Sequence, residues 1–168
     1  MKKTFAAILA VCYLCNFTIA HTEQTREKIE PPKKLTKAEK QQVECLAQNV
    51  YYEAGYETTR GQIAVAMVTL NRVYSGNYPK SICGTMTQKV EDTCQFSWYC
   101  DSALKKKPSD SEAYQESYDV AKKVLLEGFK LDKLSDALYY HATSINPGWH
   151  LPVVTQIGNH IFYRERKI

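Results

Sequence analysis

Glu53 stands in the segment Tyr51-Tyr52-Glu53-Ala54-Gly55, a carboxylic acid set among tyrosines and small residues. Partial desolvation favours the neutral form of such a group, so it keeps a proton near working pH and can deliver it to a leaving oxygen. That is what a sugar-cleaving enzyme asks of its general acid. Most glutamates on helices are merely solvated, so the rest of the chain has to single this one out.

The chain is rich in ring side chains, with 12 Tyr and two Trp among 168 residues. Each offers a flat apolar face and a polar tip, which suits sugars with their CH faces and hydroxyl rims. Tyr51, Tyr52, Tyr56, Phe96, Trp98, Tyr99, Tyr140 and Trp149 are candidates for an aromatic wall. Other chemistries lack their spacing. His141, His150 and His160 form no HExxH pattern and read as polar groups lining the strand end of a cleft, so no metal is expected. Ser97 with His141 or His160 has no GxSxG elbow, and cysteines committed to disulfides cannot act as thiolates. No cofactor is expected.

These side chains need elements to hold them. Leu35-Thr36-Lys37-Ala38-Glu39 carries a capping box, with Thr36 as N-cap, Glu39 at the third helical position and Leu35 placed for a hydrophobic staple. The helix that follows turns Val43, Leu46, Ala47, Val50 and Ala54 to one side. At about 100° per residue, Glu53 falls on the border of that stripe, where a side chain is half-buried yet can reach a cleft. Gly55 offers the stop. Thr59 and Gln62 stand in capping-box register for a second helix, apolar nearly all round from Ile63 to Leu70 and therefore central. Ser109, Glu112 and Gly128 bracket a third helix. Ala137–Ala142 and His160–Arg164 are extended runs, with Asn146-Pro147-Gly148-Trp149 as a turn between them. The expected fold is α+β, mainly α, with a short C-terminal β-hairpin.

At the N-terminus, Met1-Lys2-Lys3 precedes an apolar run and small residues at the positions that favour a cut after Ala20. The run falls short of the roughly 20 residues needed to span a bilayer, so residues 1–20 read as a secretory signal peptide. A lipoprotein signal at Cys15 and an uncleaved anchor are the weaker readings. Residues 21–34, with Pro31-Pro32-Lys33-Lys34, have almost nothing to bury and read as a flexible tether. Removing the leader leaves roughly 150 residues, enough for one domain with a sizeable core. The formal net charge of +4 drops by Lys2 and Lys3, and no stretch concentrates Lys and Arg as a nucleic-acid binder would.

Cys45, Cys83, Cys94 and Cys100 stay in the exported chain, an even set that suggests two disulfides with three connectivities open to it. Cys94 with Cys100 and Cys45 with Cys83 is the preferred pairing. Zinc is the competing use, but no CxxC spacing supports it. Three of these cysteines lie in residues 80–107, where no period holds for long and the segment is expected to be functional or covalently pinned.

Taken in order, Cys45-Leu46-Ala47 through Tyr51-Tyr52-Glu53-Ala54, Gly61-Gln62-Ile63-Ala64-Val65-Ala66 and Leu70-Asn71-Arg72-Val73 resemble the SleB-like cell wall hydrolase family. So do Tyr78 to Gly84, Cys94-Gln95-Phe96-Ser97-Trp98-Tyr99-Cys100-Asp101, Ala137 to Ala142, Trp149 and Ile157 to Tyr163. The resemblance covers residues 43 to 164 and implies a lysozyme-like fold over 35–168. It implies cleavage of peptidoglycan between N-acetylmuramic acid and N-acetylglucosamine, with Glu53 as the catalytic glutamate.

The family is associated with lytic transglycosylase action, in which the sugar's own C6 hydroxyl displaces the leaving group and leaves a 1,6-anhydro end. One carboxyl then suffices as acid and base. A hydrolytic muramidase needs a second carboxylate, about 5 to 5.5 Å away for retention or 6.5 to 9.5 Å for inversion. Glu57 and Asp101 are the nearest proposals and read more simply as surface acids. A wall-binding domain without activity is the other alternative, and it predicts loss of the acid at position 53. Gln95, Ser97, Tyr140, His141 and His160 are expected to hold N-acetyl and hydroxyl groups, with Phe96 and Trp98 as apolar wall. The expected partner is the glycan strand of peptidoglycan, met by a periplasmic or secreted monomer. With only a tether ahead of the domain, wall affinity is expected to come from the catalytic domain or a partner.

Overall fold

Thr36 Oγ1 accepts the Glu39 backbone N–H at 3.2 Å, and the Glu39 carboxylate accepts the Thr36 N–H at 2.8 Å. This closed capping box opens helix α1, Lys37–Ala54. The computed structural model describes residues 34–102, 108 and 110–166. The leader expected over 1–20 and the tether up to residue 33 lie outside the described residues.

Helix α2, Thr59–Ser75, starts one residue earlier than the expected register: Thr58 is the N-cap and its Oγ1 accepts the Gly61 N–H at 3.4 Å. Gln62 does not reach back to the cap because its side chain is buried, where it donates to the carbonyls of Gly55 and Glu57. It thereby braces the turn that follows Glu53. Helix α2 is the central element, with Ala64, Val65, Ala66 and Val68 fully buried against Val43, Leu46, Ala47 and Val50 of α1. Each fully buried Val or Leu contributes about 1.5 to 3 kcal/mol relative to an exposed one, and the alanines let the helices approach closely.

Between α2 and the last long helix run α3 (Ile82–Thr87), a two-stranded ribbon of β1 (Lys89–Val90) and β2 (Thr93–Cys94), and the single turn α4 (Ser97–Cys100). The irregular segment is covalently pinned. Cys45–Cys83 ties α3 to α1, and Cys94–Cys100 closes the β2–α4 corner. Gln42 adds a polar clamp, its Oε1 accepting the Ile82 N–H at 2.8 Å. Helix α5 spans Ser111–Leu125. Its cap is Asp110, whose carboxylate accepts the N–H groups of Glu112 and Ala113, where Ser109 was expected and lies outside the described residues. Val120, Ala121 and Val124 complete the helical core.

A 3₁₀ turn at Asp132–Leu134 leads to a three-stranded antiparallel sheet of β3 (Ala137–Ala142), β4 (Val153–Ile157) and β5 (His160–Arg164), in the order β3-β5-β4. The C-terminal hairpin is β4–β5, and β3 pairs on the other edge of β5 with Tyr140 facing Phe162. Strand β4 is absent from the sequence reading because its residues lack a clean inside–outside alternation; only Ile157 is buried. Ala137, Ile157 and Phe162 seal the sheet onto the helices. Among the described residues no helix is long and apolar enough to cross a membrane.

Candidate active site

Glu53 occupies the last turn of α1, and its Oε2 accepts the hydroxyl of Tyr140 at 2.9 Å. Both line a cleft of about 450 Å³, together with Arg72, Gln95, Phe96, Tyr139, Trp149 and Leu151. Helix α1 supplies the acid, α2 the arginine, the β2–α4 connection Gln95 and Phe96, β3 the two tyrosines, and the β3–β4 loop the remaining two residues. Glu53 is the only carboxylate among these lining residues.

Burial pushes the Glu53 carboxyl above its ordinary value, and the Tyr140 hydroxyl and the Arg72 charge each pull it part of the way back. Desolvation wins. Burial also drives the Tyr140 hydroxyl well above its usual range, with the Glu53 charge adding to the effect, so Tyr140 stays protonated and donating. Arg72 is itself buried: its Nε donates to the Leu138 carbonyl at 2.8 Å, and its guanidinium lies 5.4 Å and 5.3 Å from the ring centres of Tyr78 and Phe96. Among the described residues its Nη1 has no hydrogen-bond partner. The site therefore holds an acid biased neutral beside a fixed cation that stabilises the carboxylate once the proton leaves.

Glu57 is not a surface acid. Its side chain is 11% exposed, accepts the Asn159 side-chain amide at 2.9 Å and the Asn159 backbone N–H at 3.2 Å, and lies 4.0 Å from His160 Nδ1. It holds the β4–β5 turn, where Gly158 takes φ +56° and a Cβ would collide with Glu57 Oε2. Asp101 follows α4 on the surface and does not line the cleft.

Of the wall and contact residues expected from the sequence, the fold brings Gln95, Phe96, Tyr140 and Trp149 to the cleft that holds Glu53. Trp98 goes elsewhere: it is buried in a second apolar cluster with Met86 and Phe96, stacked on Tyr52 at 4.6 Å between ring centres. Its Nε1 donates to Asn49 Oδ1 at 3.3 Å, and Asn49 Nδ2 donates to Thr69 Oγ1 at 3.0 Å, a buried chain joining α4, α1 and α2. Ser97 is exposed at the start of α4 and is not in the lining. His160 is buried beneath Tyr140, with its ring edge-on at 5.3 Å between centres, and supports that tyrosine from outside the cleft. His141 Nδ1 donates to the Ala142 carbonyl at 2.9 Å, and its Nε2 meets the Tyr163 hydroxyl at 2.7 Å.

Arg72, Tyr139 and Leu151 join the cleft without having been singled out. For Arg72 a signal existed, since it is a charged residue in the last turn of a helix whose middle, Ile63 to Val68, is apolar all round.

Residues 56–163 match the family model described as Cell Wall Hydrolase. The chain belongs to the cell wall hydrolase family. The match opens just after Glu53 and contains every other lining residue of the cleft. Among curated relatives, the spore cortex-lytic enzyme of Bacillus subtilis (strain 168) is 32% identical over 124 residues, which cover 71% of this chain and 36% of that protein. A spore cortex-lytic enzyme of Bacillus cereus is 30% identical over 128 residues, covering 71% of this chain and 43% of that protein. The chain thus spans between a third and a half of the length of these relatives. Among solved structures, the catalytic domain of the germination-specific lytic transglycosylase SleB from Bacillus anthracis aligns with a TM-score of 0.58 and 26% identity, covering 80% of this chain and 100% of that one. The catalytic domain of the Bacillus cereus SleB protein aligns with a TM-score of 0.56. The mainly α, α+β fold is that of these cell wall hydrolase domains.

Proposed function

We propose that this cell wall hydrolase cleaves peptidoglycan glycan strands between N-acetylmuramic acid and N-acetylglucosamine as an exported lytic transglycosylase. Glu53, the sole carboxylate among the described residues that line the cleft, carries the reading. In its neutral form it protonates the glycosidic oxygen as the C1–O bond breaks, and charge develops on the ring carbon. The carboxylate left behind is stabilised by the Tyr140 hydroxyl and the nearby Arg72 charge. The C6 hydroxyl then attacks C1 and passes its proton to Glu53, which closes the 1,6-anhydro ring and restores the acid. No second carboxylate is required, in keeping with Glu57 being engaged at the β4–β5 turn. The SleB domains, one of them titled a lytic transglycosylase, lend support through their shared fold.

Digestion of purified peptidoglycan followed by mass spectrometry of the released muropeptides tests this directly. The expected products carry 1,6-anhydro ends and disappear with Glu53→Gln. Reducing ends alone assign a hydrolytic muramidase instead, and undiminished release by Glu53→Gln removes Glu53 from the chemistry.

A further inference from the structure

The chain has two tryptophans, and the fold treats them oppositely: Trp98 is 6% exposed in the core, whereas Trp149 is 43% exposed at the cleft that holds Glu53. Single exposed apolar side chains are ordinary; what marks Trp149 is that its exposed indole lies in the lining of the cleft that holds the acid.

Trp149 is also held still. Its loop turns at Asn146, whose Oδ1 accepts the Gly148 N–H at 3.1 Å, while Gly148 takes φ +68°, a conformation open to glycine. Arg166 Nε then grips the His150 carbonyl at 3.0 Å. The indole meets the rings of Tyr139, His141 and Tyr163 at steep angles, with centres 6.1, 5.5 and 5.8 Å away. His141 and Tyr163 are stacked on one another and joined by their hydrogen bond, so they form a rigid base. A large apolar surface fixed before the ligand arrives binds without an ordering cost, and an indole suits the CH face of a sugar ring.

We infer that Trp149 is a sugar-stacking platform whose open surface takes the apolar face of an N-acetylhexosamine ring in a subsite adjoining Glu53. The support from His141 and Tyr163 makes those two positioning residues of the platform. This rests on the glycosidase reading for its ligand class.

The test uses the Glu53→Gln protein, which stops turnover, titrated with soluble peptide-free strands of alternating N-acetylglucosamine and N-acetylmuramic acid. Intrinsic fluorescence should change on binding, because Trp149 is the accessible tryptophan. With Trp149→Phe added, the response should vanish although Trp98 still emits, and affinity measured by calorimetry should fall about threefold, against about tenfold for Trp149→Ala. In the otherwise unaltered enzyme, Trp149→Ala should raise KM about tenfold with kcat little changed, and Trp149→Phe should fall between, which separates lost stacking from lost folding. An unchanged KM in both variants of an active enzyme overturns the inference. If the unaltered protein leaves peptidoglycan intact, the glycosidase reading fails on its own account. The titration still decides: an affinity lowered by Trp149→Phe and further by Trp149→Ala upholds the platform, and an unchanged affinity refutes it.

Discussion

Tyr140 Oη lies 2.9 Å from Glu53 Oε2 across 87 residues of sequence, a contact that joins α1 to the sheet at the site. Because the hydroxyl donates to the ionised form, it lowers the Glu53 pKa against the larger effect of burial. Tyr140→Phe removes that donor, so the carboxyl should move further upward and the basic limb of the kcat/KM profile should shift to higher pH. The rate at the optimum should fall about tenfold or more, through lost orientation of the acid and lost stabilisation of its carboxylate. A pH profile whose basic limb stays in place or moves down would show that the contact does not tune the acid.

The raised Glu53 pKa has a stability counterpart whose sign follows from linkage. Below the ordinary carboxyl value both folded and unfolded states hold the proton. As pH rises from there through the folded value, the unfolded chain ionises first, so the folded state loses stability across that interval. Glu53→Gln cannot ionise. Its denaturation midpoint should match that of the parent at about pH 4 and exceed it at about pH 8. Parallel curves at the two pH values would mean that burial does not penalise the carboxylate.

Gly158 and Glu57 form a second long-range pair, and the substitution Gly158→Ala should cost roughly 1 to 2 kcal/mol from the left-handed backbone alone. The collision with Glu57 Oε2 adds to this. In a Glu57→Ala background that second part should disappear, so a double-mutant cycle in urea should show positive coupling. Equal costs in both backgrounds would remove the collision from the account.

The two disulfides close loops of unlike length, with sequence separations of 38 and 6. On the chain-entropy estimate, losing Cys45–Cys83 should cost about 4 kcal/mol and losing Cys94–Cys100 about 2 kcal/mol. Paired Cys→Ala variants followed by chemical denaturation should preserve that order. The shorter bridge should matter more for activity, because it closes the corner that presents Gln95 and Phe96 to the cleft. An inverted order in stability would point to structure retained in the unfolded state.

How much was legible in advance differs from element to element. The Thr36–Glu39 box and the stripe from Val43 to Ala54 could be read because helix caps and periodicity are local, and they put Glu53 on a border where the fold does place it half-buried. The start of α2 was missed by one residue because Gln62 was drawn into the core, a tertiary choice that overrides a local preference. Strand β4 and the 3₁₀ turn at Asp132–Leu134 carry short, mixed patterns that local reading does not separate from loop.

The sequence by itself determined the kind of acid, the helix that carries it, the cysteine set and the order of family motifs. Tertiary structure decided which partners surround that acid. Only packing could turn Trp98 inward and leave Trp149 at the cleft, occupy Glu57 with a turn 102 residues away, and set Tyr140 and Arg72 beside Glu53. Each of these depends on contacts between residues far apart in the chain, where side-chain volume and the satisfaction of buried polar groups select the arrangement and no local period records it.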